Sequence, residues 1–185
     1  MNAHPLDETT LFQWGAWTAR LRRGRGNADR LLLLLHGWTG DENSMWLFAP
    51  RLPADFTLLA PRAPHPEPRG GYTWRPVAPE TWGLPSLDDF RPAARELLGF
   101  VDDWSQQAGV LAGVFAVMGF SQGAALAYAL AFLYPQRLER VVALAGFLPE
   151  GAAALVPARP LAGKAVYVAH GRRDEMIPVE RARQA

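Results

Sequence analysis

A serine stands between two glycines at Gly119-Phe120-Ser121-Gln122-Gly123, with an apolar run before it and the alanine-rich run Ala124 to Leu133 after it. A serine hydroxyl becomes a nucleophile when a base takes its proton and when donors hold the charge that develops on the attacked carbonyl. An apolar strand, a sharp turn and a helix would supply the geometry. The serine is then exposed on a strained turn, and small residues two positions away let strand and helix pack closely. One donor would be the backbone N–H of Gln122 at the helix N-terminus. The second belongs on the loop after a neighbouring strand. The segment Leu31 to Trp46 has that form, with His36-Gly37-Trp38-Thr39-Gly40 following five leucines, so the Trp38 N–H is the candidate. A third loop follows the apolar run Val166 to Ala169 and carries Asp174. A carboxylate there orients a catalytic imidazole in the chain order serine, acid, histidine. Each feature has a plainer use: Ser121 as a helix cap, the 36–40 loop as a glycine turn, Asp174 as a loop acid or cap.

The elements that would position these groups alternate along the chain. Phe12 to Leu21 alternates loosely and reads as the arm of a β-hairpin leading into the strand Arg30 to His36, which is apolar on both faces as a strand between two helix layers must be. Phe56 to Pro61 is a second such run. The stretch from Ser86 to Gly109 opens with a serine N-cap, carries acidic residues in its first turn and repeats apolar residues at helical spacing. Leu138 to Leu144 and Lys164 to Ala169 give two more short buried strands. Strands alternating with helices predict a mainly parallel sheet with helices on both faces, and reactive groups at the C-terminal ends of its strands. Between Pro61 and Asp89 lies a long segment rich in Pro, Gly, Tyr and Trp. It is expected either to wall the site through Tyr72, Trp74 and Trp82 or to pack on itself.

Composition narrows the classes. A chain of 185 residues, 49% hydrophobic, is of a length for one domain, residues 1–185. Lys and Arg total 19 against 18 Asp and Glu, so no overall field draws nucleic acid or anionic membrane. The cluster Arg20, Arg22, Arg23, Arg25 reads as a solvated strand end. There is no cysteine, which excludes a disulfide scaffold and a thiolate nucleophile. The N-terminus has acidic residues and no apolar core, and no stretch approaches the ~20 apolar residues of a membrane span. The expectation is a cytoplasmic protein.

Four blocks, Leu34 to Met45, Gly119 to Ala127, Ala145 to Pro149 and His170 to Ala182, resemble the phospholipase/carboxylesterase family of α/β-hydrolases, which includes acyl-protein thioesterases and small bacterial carboxylesterases. The resemblance runs from about Leu31 to the last residue. It implies an α/β-hydrolase fold, and the short chain between Pro149 and the strand at Lys164 leaves no room for an inserted cap domain. It further implies Ser121 as nucleophile, Asp174 as triad acid, Trp38 and Gln122 as oxyanion donors, Phe147 on the acyl pocket, and no metal or cofactor. The substrate is then a small-molecule or acylated carboxylic ester or thioester, cleaved through an acyl-enzyme. The family's catalytic histidine lies beyond one further helix and strand after the acid, and only eleven residues follow Asp174. That helix, strand and histidine are expected beyond Ala185. Of the four histidines in the chain, His4 is near the terminus, His65 sits among prolines, His170 is two strands from the serine, and His36 suits an imidazole bonded to backbone. The alternative to the enzyme is a non-catalytic scaffold of the same fold acting as a binding module. An uncovered Lys164–Ala169 strand would also invite self-association.

Overall fold

The computed structural model describes residues 8–25, 30–76 and 85–185. Trp82 and His4 lie outside them. In chain order the elements are β1 (Thr10–Trp14), β2 (Trp17–Arg22), β3 (Arg30–Leu35), β4 (Phe56–Pro61), β5 (His65–Pro66), β6 (Tyr72–Thr73), α1 (Leu87–Ala108), β7 (Phe115–Phe120), α2 (Gln122–Leu133), β8 (Leu138–Leu144), β9 (Ala165–Ala169) and α3 (Val179–Arg183). Seven strands form one sheet in the order β1-β2-β4-β3-β7-β8-β9. From β4 to β9 all neighbours are parallel. The N-terminal hairpin is antiparallel, and β2 joins β4 rather than the strand it precedes. Strands β5 and β6 form a separate small pair.

The leucine run of β3 shows why this sheet needs cover on both faces. Side chains alternate across a strand. Leu31, Leu33 and Leu35 accordingly enter one core with α1 and α2, while Leu32 and Leu34 enter another with Met45, Trp46 and Ala49. Those last three belong to a 3-10 helix, Ser44–Arg51, which covers the second face beside β3 and β4.

Helix α1 begins where the sequence places it. The Ser86 hydroxyl accepts from the Asp89 N–H, and the Asp89 carboxylate accepts from the Ser86 N–H, a reciprocal cap. It ends at Gly109, whose φ of 66° is the left-handed value of a C-terminal glycine. Helix α2 is different. Every residue from Gln122 to Ala131 is buried, so its alanines serve close approach between the sheet and α1 rather than an amphipathic face.

Among the described residues strand β9 is the edge of the sheet, paired on one side only with β8. Val166, Tyr167 and Val168 are 42%, 61% and 40% exposed. It starts one residue later than the sequence suggests: Lys164 closes the preceding turn through its N–H to Leu161 O, and its ammonium reaches Leu138 O at 2.7 Å.

Candidate active site

Ser121 sits between the end of β7 and the start of α2 with φ 53° and ψ −115°. For a residue with a side chain this conformation costs about 1–3 kcal/mol and persists only where its surroundings enforce it. They do so by proximity. A Cβ on Gly119 would lie 2.2 Å from the Gly123 carbonyl oxygen, and one on Gly123 would lie 2.2 Å from Leu35 O. Only glycine at both positions lets β7, α2 and the end of β3 meet. The Ser121 N–H donates to Leu144 O at 2.9 Å, and its carbonyl accepts from Ala124 and Ala125. Its hydroxyl makes no capping hydrogen bond, so the plainer use of this serine is not the one the geometry shows.

The Trp38 loop is held against this turn by a chain of buried polar contacts. His36 is 1% exposed. The Ala63 N–H donates to its Nε2 at 3.0 Å, which makes Nε2 the acceptor and leaves the proton on Nδ1, 2.7 Å from Gly37 O. The Trp74 indole N–H donates to His36 O at 2.8 Å, and the Trp74 backbone N–H donates to the Gln122 side-chain oxygen at 2.9 Å. Thr73 Oγ1 lies 2.9 Å from Gln122 Nε2. The Gln122 side chain is thereby tied to Thr73 and Trp74, and its backbone N–H stands at the first position of α2. Tyr72 N–H donates to Gly40 O at 2.9 Å. Beneath that contact Arg62 makes a two-pronged bond to Glu42, at 2.7 and 2.9 Å, and stacks over the Tyr72 ring at 4.6 Å. Burial alone would raise the Glu42 carboxyl; the Arg62 hydrogen bonds, a backbone hydrogen bond and the nearby Arg62 charge together outweigh it and hold the group below its ordinary value.

Burial pushes the His36 pKa down, the Gly37 carbonyl opposing it only in part. The unfolded chain therefore takes up this proton first as pH falls. Stability conferred by the neutral imidazole is present above the unfolded value of ~6.5 and is lost as pH falls toward the folded value. Urea unfolding between about pH 5 and pH 7.5 is expected to show stability rising with pH, by at most about 1.4 kcal/mol per unit for this group. His36→Gln should flatten that slope. An unchanged slope in the variant would assign the proton elsewhere.

A cavity of about 350 Å³ opens over Ser121, and Trp38, Gln122 and Phe147 share its lining. The structure thus brings four of the five residues singled out in the sequence to one place. Asp174 is not among them. Its Oδ1 accepts from the N–H groups of Met176 and Ile177 at 3.0 and 2.9 Å, shaping the loop whose next residues, Glu175 to Pro178, form a cavity wall. Its Oδ2 lies 3.7 Å from His170 Nε2, and that nitrogen is 2.7 Å from Ile177 O. A carbonyl only accepts, so Nε2 carries the proton. Among the described residues no histidine lines the cavity: His36 has both ring nitrogens on backbone, His65 is exposed on β5, and His170 faces its own loop.

Of the two uses expected for the aromatic segment, walling the cavity is not the one Tyr72 and Trp74 show: Trp74 is 1% exposed and braces His36 and Gln122 from behind, and Tyr72 packs under Arg62. What this segment contributes to the lining is Arg75 and Pro85. Arg75 and Arg181 were not singled out in the sequence, because no local pattern links position 75 to position 181; only the tertiary fold does.

Comparison with known proteins places this geometry. The family model described as Phospholipase/Carboxylesterase matches residues 18–185. No curated protein matches the chain by sequence. Among solved structures, a Bacillus cereus carboxylesterase superposes with a TM-score of 0.77 at 22% identity, covering 92% of this chain and 77% of that one. A Mesorhizobium loti carboxylesterase gives 0.67 at 20% identity, with coverages of 89% and 91%. Zea mays acyl-protein thioesterase 2 gives 0.71 at 20% identity, with 90% and 80%. At these identities the superpositions speak for the fold.

Proposed function

The chain belongs to the phospholipase/carboxylesterase family of esterase-type α/β-hydrolases, and from that premise we propose that it cleaves carboxylic esters or thioesters with Ser121 as the nucleophile. Ser121 Oγ bonds to the carbonyl carbon, and the carbonyl electron pair moves onto oxygen. The N–H groups of Gln122 and Trp38 hold that oxyanion. Its collapse expels the alcohol or thiol and leaves an acyl-Ser121 ester; water repeats the attack and releases the acid. Asp174 orients an imidazole, outside the described residues, that takes the serine proton, gives it to the departing alkoxide or thiolate, and then does the same for the attacking water and the departing Ser121 oxygen. No metal or cofactor takes part in this scheme.

The observation that supports the reading most is the strained conformation of Ser121, φ 53° and ψ −115°, at the head of α2 with its hydroxyl uninvolved in capping. The test is a fluorophosphonate probe on the product of the full reading frame, with the labelled peptide identified by mass spectrometry. Labelling at Ser121 that disappears in Ser121→Ala is expected. Absence of labelling, or a label that survives the substitution, would remove the reading. The lack of an imidazole on the cavity among the described residues favours one rival, a ligand-binding scaffold without turnover. That rival predicts no labelling together with retained ligand binding.

Two further parts of the proposal concern setting. No helix among the described residues is long and apolar enough to cross a membrane, and we place a cysteine-free chain of this kind in the cytoplasm. We also propose that β9 mediates self-association of the 185-residue chain. Antiparallel pairing of two β9 edges centred on Tyr167 sets Val166 opposite Val168 and satisfies both rows of edge N–H and C=O groups. Sedimentation velocity should show concentration-dependent association that Tyr167→Lys suppresses. A monomer at every concentration, or equal association by the variant, would overturn it.

A further inference from the structure

The walls of the Ser121 cavity are mostly apolar, with Trp38, Phe147, Met176 and Ile177 among them, yet three ionisable side chains share the lining: Arg75, Arg181 and Glu175. Their positions are set by different elements. Arg75 directly follows the brace formed by Thr73 and Trp74: its carbonyl accepts from Thr73 Oγ1 at 2.9 Å, and the preceding N–H is bonded to Gln122. The residue is 6% exposed. Arg181 stands on α3 with its guanidinium carbon 5.3 Å from the centroid of the Phe147 ring, a contact that fixes a cation over the apolar wall. Glu175 lies exposed on the Asp174 loop.

Within an apolar cavity a few fixed polar groups orient the ligand and decide which ligands enter. A guanidinium carries five N–H donors, so one already engaged with the protein still has donors to offer a ligand. Its planar fork matches a carboxylate in two-pronged geometry. Two guanidinium groups against one carboxylate leave a single positive charge among the described lining residues, which matches one carboxylate better than a phosphate monoester of nearly two charges. A volume of about 350 Å³ is at the small end of ligand cavities. Resting on the serine-esterase reading, we propose that this cavity selects short esters whose non-reacting end carries one carboxylate, received by Arg75 and Arg181.

The test separates selection from turnover. Calorimetric titration of the Ser121→Ala protein with monomethyl succinate and with its neutral counterpart dimethyl succinate reads charge selection alone. Monomethyl succinate should bind about 10-fold or more tightly than the diester, and added salt should narrow the gap. Arg75→Gln and Arg181→Gln, each added to Ser121→Ala, should shrink the ratio toward one. Arg181 is half-buried on a short terminal helix, so its variant carries the test should Arg75→Gln melt. Equal affinity for the two esters, no binding of the monoester, tighter binding of methyl phosphate, or an undiminished ratio in Arg181→Gln would overturn the proposal. Turnover is read in the protein with Ser121 intact. Charge-selective binding without hydrolysis of either ester defeats the esterase reading and leaves selection standing. Hydrolysis of both at equal kcat/KM defeats selection and leaves the esterase.

Discussion

Replacing Ser121 by alanine is expected to lower ester hydrolysis by the product of the full reading frame about 10⁴-fold or more, with ester binding almost unchanged. The substitution removes one oxygen from a residue whose backbone is held at both ends, by Leu144 O on one side and by the first turn of α2 on the other. The cavity keeps its shape. The proposed oxyanion donors are backbone N–H groups, which a side-chain change does not remove, so a slow residual rate above water is part of the expectation. Steady-state hydrolysis of a p-nitrophenyl ester by both proteins measures it. A loss smaller than about 10-fold would move the nucleophile to another residue, since deleting the attacking atom itself cannot cost so little.

Gly123→Ala is expected to lower stability by about 4 kcal/mol, near the top of what single substitutions do. The added carbon would meet Leu35 O at 2.2 Å and His36 O at 2.5 Å. Both are backbone atoms of the central strand and the loop after it, so no rotamer change relieves the contact. For a chain of this size that corresponds to a fall in Tm of roughly 8–16 °C. Gly99→Ala is the internal control. Gly99 is exposed in the middle of α1, where an added methyl would meet nothing within 4 Å, and alanine there should stabilise by about 1 kcal/mol. Thermal melts of the two variants should therefore shift in opposite directions. A Gly123→Ala protein as stable as the parent would mean that α2 does not approach β3 as closely as this structure has it.

What the sequence revealed was what neighbouring residues decide among themselves. The Ser86 and Asp89 cap needs only residues three apart, the glycines around Ser121 report a local crossing of strand and helix, and the leucines of β3 state that both faces are covered. Pairing β2 with β4 was not legible, because a strand carries no mark of which neighbour it joins. Trp74 was left open for a physical reason: an indole in a glycine- and proline-rich segment suits a cavity wall and a buried brace equally, and its N–H found His36 O. Asp174 shows one of the uses its position allows, shaping its loop through the Met176 and Ile177 N–H groups, and its catalytic use is part of the proposed function. Arg75 and Arg181 meet only through folding.

The ladder of hydrogen bonds beyond the strand ends has a consequence for local opening. Ala145 N–H donates to Ala169 O at the end of β9, and Ser121 N–H donates to Leu144 O at the end of β8, so the nucleophile turn is the inner rung of a series that starts at the exposed edge. Proteins open in cooperative units rather than atom by atom. If β9 frays, the Ala145 rung goes first and the Ser121 rung becomes the new boundary. Amide exchange protection should then fall in steps from β3 through Ser121 to Ala145. The serine turn is thus held closely on its β3 side, where Gly123 meets Leu35 O, and through the β8 and β9 rungs on the other, so whatever stiffens β9 also lengthens the residence of Ser121 in its strained conformation.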